Sequence, residues 1–475
     1  MRTAPGEPQV RFGEPAGRWV LLATVLGSGM AMLDATVVNV ALDRIGQDLH
    51  ADLAGLQWTL NGYTLTLAAF ILVGGSLSDR LGRRRMFLAG TLWFTAASVL
   101  CGLAPNIEFL VAARALQGVG GALLTPGSLA IISASFAQQD RARAIGAWSG
   151  LGGVAGAIGP FLGGWLVDAW SWRLVFLVNV PLAVVVIAVT VRHVPESRDP
   201  DAAGRLDLPG TALGALGLAG LTYASIAAGS QGLTAATLGT GTAGVVALAG
   251  FVQVQRTSRA PLVPPSLFAV RQFTAANLVT FMVYAVLGSV FFLLVLDLQV
   301  VAGFTPLVSG TALLPVTVVM LVLSARSGAL AQRIGPRLQM TLGPVIAAAG
   351  LVLTLRIGPS ASYWRDVLPA VVVFAVGVTT LVAPLTSTVL AAAPSQHAGV
   401  ASGVNNAVAR AAGLLAVALL PTLAGLHGAD YRSPVAFAAG FTVAVWICVG
   451  LLLTGAAVAA WGISNAGATA SGPSR

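Results

Sequence analysis

Long apolar runs recur through the whole chain, and they constrain its fold more than any other feature. Helices of about 20 apolar residues are needed to cross the ~30 Å hydrocarbon core of a bilayer. The runs are too long and too uniformly apolar for barrel strands of about ten alternating residues, so helices are the expected spanning form. Fourteen runs qualify, at 19–42, 57–77, 86–104, 108–131, 144–168, 172–191, 209–228, 235–256, 273–300, 307–331, 338–357, 366–391, 399–426 and 436–461.

Composition agrees with an all-α integral membrane protein and argues against other classes. The 475-residue chain is 56% hydrophobic and 9% charged, whereas soluble domains have roughly 25% charged residues. Its net charge of +9 comes from arginines between apolar runs, not from a basic patch with interleaved aromatics, so we expect no nucleic-acid partner. The four histidines have no metal-ligand spacing, and no nucleotide-binding loop occurs. We therefore expect no enzyme, metal or cofactor.

A short arginine-dense loop lies between the second and third runs. It extends over residues 75–85 and has the sequence GSLSDRLGRRR. A weaker copy, GALAQRIGPR, begins at Gly328, which is 253 residues after Gly75. Two copies predict two structurally repeated halves. Halves of six spans alone would place the copies roughly 200 residues apart, so the surplus predicts an inserted helical hairpin at 209–256, an accessory packing element.

The repeat and the arginines together predict domain organisation and sidedness. With the N-terminus inside, the inner loops and tails hold nineteen of the 26 arginines and the outer loops hold five. Since basic residues are retained on the cytoplasmic side, both termini are expected in the cytoplasm. The predicted parts are an N-terminal tail, a six-helix bundle, linkers with the hairpin, a second six-helix bundle and a C-terminal tail, at 1–18, 19–191, 192–272, 273–461 and 462–475.

Four stretches resemble motifs of one family. The loop from Gly75 to Arg84 resembles the signature between helices 2 and 3 of the major facilitator superfamily. LDATVVNVAL, from Leu33 to Leu42, resembles the first-helix motif of its 14-helix drug:proton antiporters, although that motif usually ends in Pro where this chain has Asp43. RALQGVGG, from Arg114, resembles the fourth-helix motif linked to proton coupling. GGVAGAIGPFLGG, from Gly152, resembles the fifth-helix motif typical of exporters.

The resemblance implies a fold and a function. The fold would be two six-helix bundles plus the hairpin, and the protein would be a monomer in the cytoplasmic membrane. It would export hydrophobic or cationic drug-like compounds by alternating access, in exchange for protons, with the proton gradient as its energy source and no cofactor. The alternatives are a carrier for an endogenous metabolite, lipid or siderophore, and a non-transporting membrane sensor or scaffold. The presence of Asp34 and Arg114 counts against the sensor or scaffold, and nothing separates drug from metabolite.

Asp34 and Arg114 are the predicted proton-coupling residues. Asp34 lies well inside the first run, where a carboxylate is costly. Proton exchange needs a group that takes a proton from one side and releases it on the other. The alternatives are that the ionised carboxylate attracts a cationic substrate, and that a hydrogen-bonding Asp only orders a helix interface. Arg114, inside the fourth run, must find a carboxylate, a carbonyl or water. For Arg114 the alternative to coupling is a fixed structural ion pair.

Other polar residues inside the runs are predicted to line the substrate cavity or to make helix contacts. Asp297, near the outer end of its run, either faces an outer vestibule or lies at the membrane interface. For Arg410 we favour an interior hydrogen-bond network over direct contact with cargo. The full predicted set is Asn39, Gln117, Asp297, Gln299 and Arg410.

A third group is predicted to control alternating access. Asp79 can pair with a nearby arginine or cap a helix, and so hold the inner side closed. Fifth-helix glycines allow close helix approach and Pro160 interrupts the backbone hydrogen bonds. Trp58 and Tyr63 are interpreted as interfacial aromatics, and the alternative is that they stack on a flat hydrophobic substrate. The gating set is Gly75, Asp79, Arg80, Gly82, Arg83, Arg84, Gly159, Pro160, Gly163 and Gly164.

Overall fold

The computed structural model describes residues 10–198, 207–258, 261, 263–392, 398–427 and 430–465. These residues form helices and connecting turns, with one isolated bridge between Val10 and Phe136. The predicted tails and linkers fall partly outside the described residues. The helices are α1 (Pro15–Asp48), α2 (Leu53–Leu81), α3 (Arg83–Gly102), α4 (Ile107–Ser135), α5 (Gln138–Ala169), α6 (Leu174–Leu177), α7 (Asn179–His193), α8 (Leu208–Gln231), α9 (Ala235–Thr257), α10 (Pro265–Phe268), α11 (Arg271–Val300), α12 (Pro306–Ala312), α13 (Leu314–Ile334), α14 (Pro336–Thr354), α15 (Leu368–Ala391), α16 (Ala398–Leu423) and α17 (Pro434–Gly462).

The helical membrane fold is confirmed. Each of the fourteen predicted runs falls on a helix or on consecutive helices. By length and composition, twelve described helices can cross a membrane, or thirteen if the bent pair Leu53–Ile71 and Val73–Leu81 is one span. In α5 the apolar helix Val154–Ala169 is shorter than a full span. By this criterion the described residues give twelve or thirteen spans, close to the predicted fourteen.

Small residues let the helices approach closely within each half. In the first half, α3 and α4 touch where Gly120 faces the backbone of Phe94. In the second half, α14 and α15 touch where Gly350 faces the backbone of Phe374. Without a hydrophobic driving force between helices in lipid, such backbone proximity is a main source of packing energy. The hairpin of α8 and α9 packs on α2 and α16, one helix from each half.

Hydrogen bonds between the halves concentrate at one end of the bundle. We call the end that carries residues 80–85 the arginine-rich end, and the opposite end, with the α1–α2 and α16–α17 connections, the arginine-poor end. Among the described residues, every hydrogen bond between the halves lies toward the arginine-poor end. These bonds join Gln57 to Val417 and Ala418, Gln299 to Val40, Leu307 to Asp168, Tyr431 to Ala51, and Arg432 to Gly46 and Ala51.

Candidate functional site

Asp34 and Arg114 form an ion pair in the interior of the first half. The Nη1 of Arg114 lies 2.5 Å from the Oδ2 of Asp34, and the side chains are 1% and 0% exposed. Asp34 is on α1 and Arg114 is on α4, so the pair ties two helices together. A buried pair whose charges cancel is tolerated, whereas either charge alone would be strongly unfavourable at this depth.

Three polar side chains complete the hydrogen bonding of the pair. The amide of Gln117 accepts from Arg114 at 2.6 Å and donates to Asp34 at 2.8 Å. The side-chain amide of Asn179, on α7, donates to the Oδ1 of Asp34 at 3.2 Å and to the Oγ of Ser98 at 2.9 Å. Ser98, on α3, accepts from Gln117 at 3.1 Å. The network therefore draws on four helices, α1, α3, α4 and α7.

Asn179 and Ser98 were not predicted from the sequence. Asn179 is a polar residue inside the apolar run at 172–191, which is a signal in its own right because such residues are costly in lipid. Ser98 gives no comparable signal, since serine is common in membrane helices. Gln117, one turn from Arg114 and predicted either to line the cavity or to share the network of Arg114, belongs to this network.

Tyr63 supports Arg114 from the second helix. Its ring lies under the guanidinium, 4.4 Å from the Cζ of Arg114, and its side chain is 3% exposed. The Nε of Arg114 also donates to the carbonyl of Thr59 at 3.0 Å. The prediction that Tyr63 is an interfacial aromatic is therefore wrong: α2 is rotated so that this face points inward, where the ring offers the cation a favourable contact.

The remaining predicted cavity residues of the first half and of α11 lie outside this network. Asn39 donates to the carbonyl of Ala35 in its own helix at 3.0 Å. Asp297 is 1% exposed, and its Oδ2 has no hydrogen-bond partner among the described residues. Gln299 donates to the carbonyl of Val40, across to α1, at 3.2 Å. Asp297 thus lies neither in a vestibule nor at an interface but inside the protein.

Arg410 occupies the middle of α16 and is partly exposed. It makes no hydrogen bond and no ion pair with any described residue. The predicted interior network for Arg410 is therefore not found. The nearby Asn405 instead donates to Asn277 at 3.2 Å and to Thr280 at 2.7 Å, both on α11.

The arginine-dense loop is organised by one acidic residue that the sequence did not single out. Glu196, which follows α7, accepts hydrogen bonds from the backbone N–H groups of Arg84 and Arg85 at 3.1 and 3.2 Å. It therefore satisfies free donors at the start of α3. The turn before α3 is at Gly82, whose φ of +113° favours glycine.

Asp79 pairs within its own half. Its Oδ1 lies 2.9 Å from an Nη of Arg83, one turn ahead. Arg84 donates to the carbonyl of Val191 at 2.6 Å, and the Nε of Arg80 is buried without a partner among the described residues. Gly75 faces the side chain of Pro126 on α4. None of these described contacts reaches the second half.

The fifth-helix glycines lie on two different interfaces. A Cβ at Gly159 would collide with Thr36, and one at Gly163 would lie 2.5 Å from a methyl of Val37, both on α1. A Cβ at Gly164 would lie 2.5 Å from the Cα of Leu307 on α12, in the other half. The carbonyl of Pro160 also faces α12, next to Gly310. The motif therefore forms part of the contact surface between the halves.

The described residues contain no group of three or more His, Cys, Asp or Glu that could hold a metal ion. The candidate site thus consists of one neutralised acid–base pair with its amide and hydroxyl partners. In the opposite half, Arg410 has no hydrogen-bond or ion-pair partner among the described residues.

The sequence of this chain matches one family model and several known proteins. The model of the Major Facilitator Superfamily matches residues 24–417. The puromycin resistance protein pur8 of Streptomyces alboniger is 34% identical over 94% of this chain and 91% of its own length. The methylenomycin A resistance protein of Bacillus subtilis (strain 168) is 33% identical over 93% of each chain. The probable actinorhodin transporter of Streptomyces coelicolor is 36% identical over 91% of this chain and 77% of its own.

Among solved structures, a bacterial homolog of the human lysosomal transporter Spinster, in an inward-facing and unoccupied conformation, superposes with a TM-score of 0.67. It is 19% identical and covers 95% of this chain and 98% of its own. A peptide transporter POT in complex with sulfate gives a TM-score of 0.69 at 17% identity, over 94% and 95% of the two chains. At such identities the likeness concerns the fold.

Proposed function

Because this chain belongs to the major facilitator superfamily of membrane transporters, we propose that it is a proton-driven antiporter that exports hydrophobic, drug-like compounds across the cell membrane. Several relatives are resistance proteins against antibiotics, which supports export of such compounds. The observation that carries the proton-coupling part is the buried ion pair of Asp34 and Arg114.

Binding of a proton to Asp34 has a well-defined effect on the ion pair with Arg114. With Asp34 ionised, the charges cancel and α1 is bound to α4. A proton on Asp34 removes the counter-charge of Arg114 and weakens a bond that holds two helices together. The added proton must therefore change the relative free energies of any two states that differ in the packing of α1.

The same helix reaches the contact between the halves. Val40, six residues after Asp34 and thus about 9 Å along α1, accepts a hydrogen bond from Gln299 in the second half. Protonation of Asp34 can therefore act on the closure of the arginine-poor end. With the arginine-rich end in the cytoplasm, halves joined at the arginine-poor end correspond to the inward-facing state of alternating access.

The test is transport in proteoliposomes with an imposed pH gradient and a panel of fluorescent dyes and antibiotics. We expect the wild type to concentrate cargo when protons flow in the opposite direction. Asp34→Asn should lose this uphill transport but still equilibrate cargo down its own gradient. Asp43→Asn, on the same helix but closer to its end, is the matched control and should behave as wild type.

Two results would reject the proposal. If Asp34→Asn concentrates cargo as well as wild type, Asp34 carries no coupled proton. If the wild type moves cargo with no accompanying proton flux, measured with a pH dye trapped in the vesicles, the protein is not an antiporter.

A further inference from the structure

Arg410 is an uncompensated cation inside the membrane domain. It lies in the stretch Gly403–Leu423 of α16, which is long and apolar enough to span. Within the described part of the chain it has neither a hydrogen bond nor an ion pair. An arginine at this depth is expensive, and in proteins it is normally matched by an acid, a carbonyl or water.

The packing of α16 places Arg410 where the two halves meet. This helix contacts α11 of its own half and α2 of the first half. Gly413 packs against Gly288 of α11, so the level of Arg410 on α16 matches that of Tyr284. Because Gly413 follows Arg410 by three residues, less than one helical turn, Arg410 lies near the face of α16 that packs on α11.

Neither buried acid of the spans can neutralise this charge. Asp34 is already paired with Arg114 at 2.5 Å. Asp297 lies thirteen residues after Tyr284 on α11, about 20 Å further along the helix. The interior between the halves thus has a surplus positive charge.

The surplus positive charge favours one class of cargo over another. A cationic compound would meet Arg410 and find no free carboxylate, since Asp34 is neutralised. An anionic oxygen would form a charge-assisted hydrogen bond with the guanidinium, a strong interaction in a medium of low dielectric constant.

We propose that Arg410 is a cargo-binding residue, and that the preferred cargo is a hydrophobic molecule with an acidic oxygen, such as a carboxylate or phenolate. The proposal rests on the proposed export function and specifies its substrate class, replacing the cationic cargo expected from Asp34 alone. The body of the molecule would contact the apolar walls, and Arg410 would select its charge.

The test is equilibrium binding to the purified full-length chain in nanodiscs, without a pH gradient. The probes are fluorescein, an anion, and ethidium, a cation, followed by fluorescence anisotropy. We expect tighter binding of fluorescein by the wild type, a Kd for fluorescein at least tenfold weaker in Arg410→Gln, and most of the affinity restored in Arg410→Lys. Ethidium binding should be unchanged or stronger in Arg410→Gln, which also shows that the variant is folded.

The control is Arg356→Gln, which removes an exposed arginine near the end of α14 and should leave both affinities unchanged. The proposal is overturned if the wild type binds no fluorescein or prefers ethidium, or if Arg410→Gln keeps its fluorescein Kd within twofold. This binding measurement involves no proton flux. It can therefore fail while the antiport proposal stands, and the antiport test can fail while this proposal stands.

Discussion

The hydroxyl of Tyr431 donates a 2.5 Å hydrogen bond to the carbonyl of Ala51, and this bond joins the two halves at the arginine-poor end. Tyr431 is 1% exposed, so the bond is shielded from water. Arg432 donates to the same carbonyl at 2.9 Å and to that of Gly46 at 3.2 Å. Two consecutive residues of one half therefore bind the last turn of α1 and the α1–α2 connection of the other.

Tyr431→Phe should favour the state that is open at the arginine-poor end. A net loss of about 0.5–1.5 kcal/mol is typical for one hydrogen bond, which shifts the ratio of the two states by roughly two- to tenfold. The readout is the distance distribution between spin labels on the α1–α2 and α16–α17 connections. Tyr223→Phe, on α8, is the control. An unchanged distribution in Tyr431→Phe would show that this bond does not contribute to closure.

Gly164→Ala should block closure of the arginine-poor end. The added Cβ would lie 2.5 Å from the Cα of Leu307 and 2.8 Å from the carbonyl oxygen of Pro306. Both are backbone atoms and cannot rotate away, so the halves must move apart. We expect transport to fall at least tenfold while the protein remains folded. Gly156→Ala, on the same helix with no atom within 4 Å of its added Cβ, should transport normally; equal activity of both variants would contradict the prediction.

Asp34→Asn and Arg114→Gln should be non-additive. Removing one charge leaves the other buried and unpaired, at a typical cost of about 3–5 kcal/mol. The double variant has no stranded charge, so it should be more stable than the sum of the single effects predicts. Thermal unfolding in detergent measures stability, and proteoliposomes measure uphill transport, which should be absent in all three. Additive losses of stability would mean that the two side chains do not form the pair.

Glu196→Ala should destabilise the start of α3. The carboxylate accepts from the N–H groups of Arg84 and Arg85, and loss of such a cap costs about 0.5–2 kcal/mol. Faster amide hydrogen exchange over residues 83–87 is the expected signal. Glu108→Ala is the control, since Glu108 lies in the first turn of α4 and accepts no hydrogen bond from a described residue. If Glu196→Ala accelerates exchange at the start of α3 no more than Glu108→Ala does at the start of α4, Glu196 does not cap α3.

The sequence predicted the candidate site unevenly. Asp34 and Arg114 stand out because each is a charge in an apolar run, so both were found without knowledge of their contact. Their partnership spans 80 residues of sequence, and no local pattern encodes it. Asn179 was missed although it interrupts an apolar run. Tyr63 was misplaced because a tyrosine near the end of a run fits both an interfacial and an interior position.

Run length, repeat spacing and arginine position are one-dimensional properties, so they predict a helical membrane protein with two repeated halves and an inserted hairpin. The face of each helix that points inward is visible only in the folded chain. There Arg114 neutralises Asp34, Arg410 has no partner among the described residues and the halves meet at the arginine-poor end. Helices that are apolar on every side carry no sequence pattern that fixes their rotation. Their rotation is set by close packing and by polar contacts between helices.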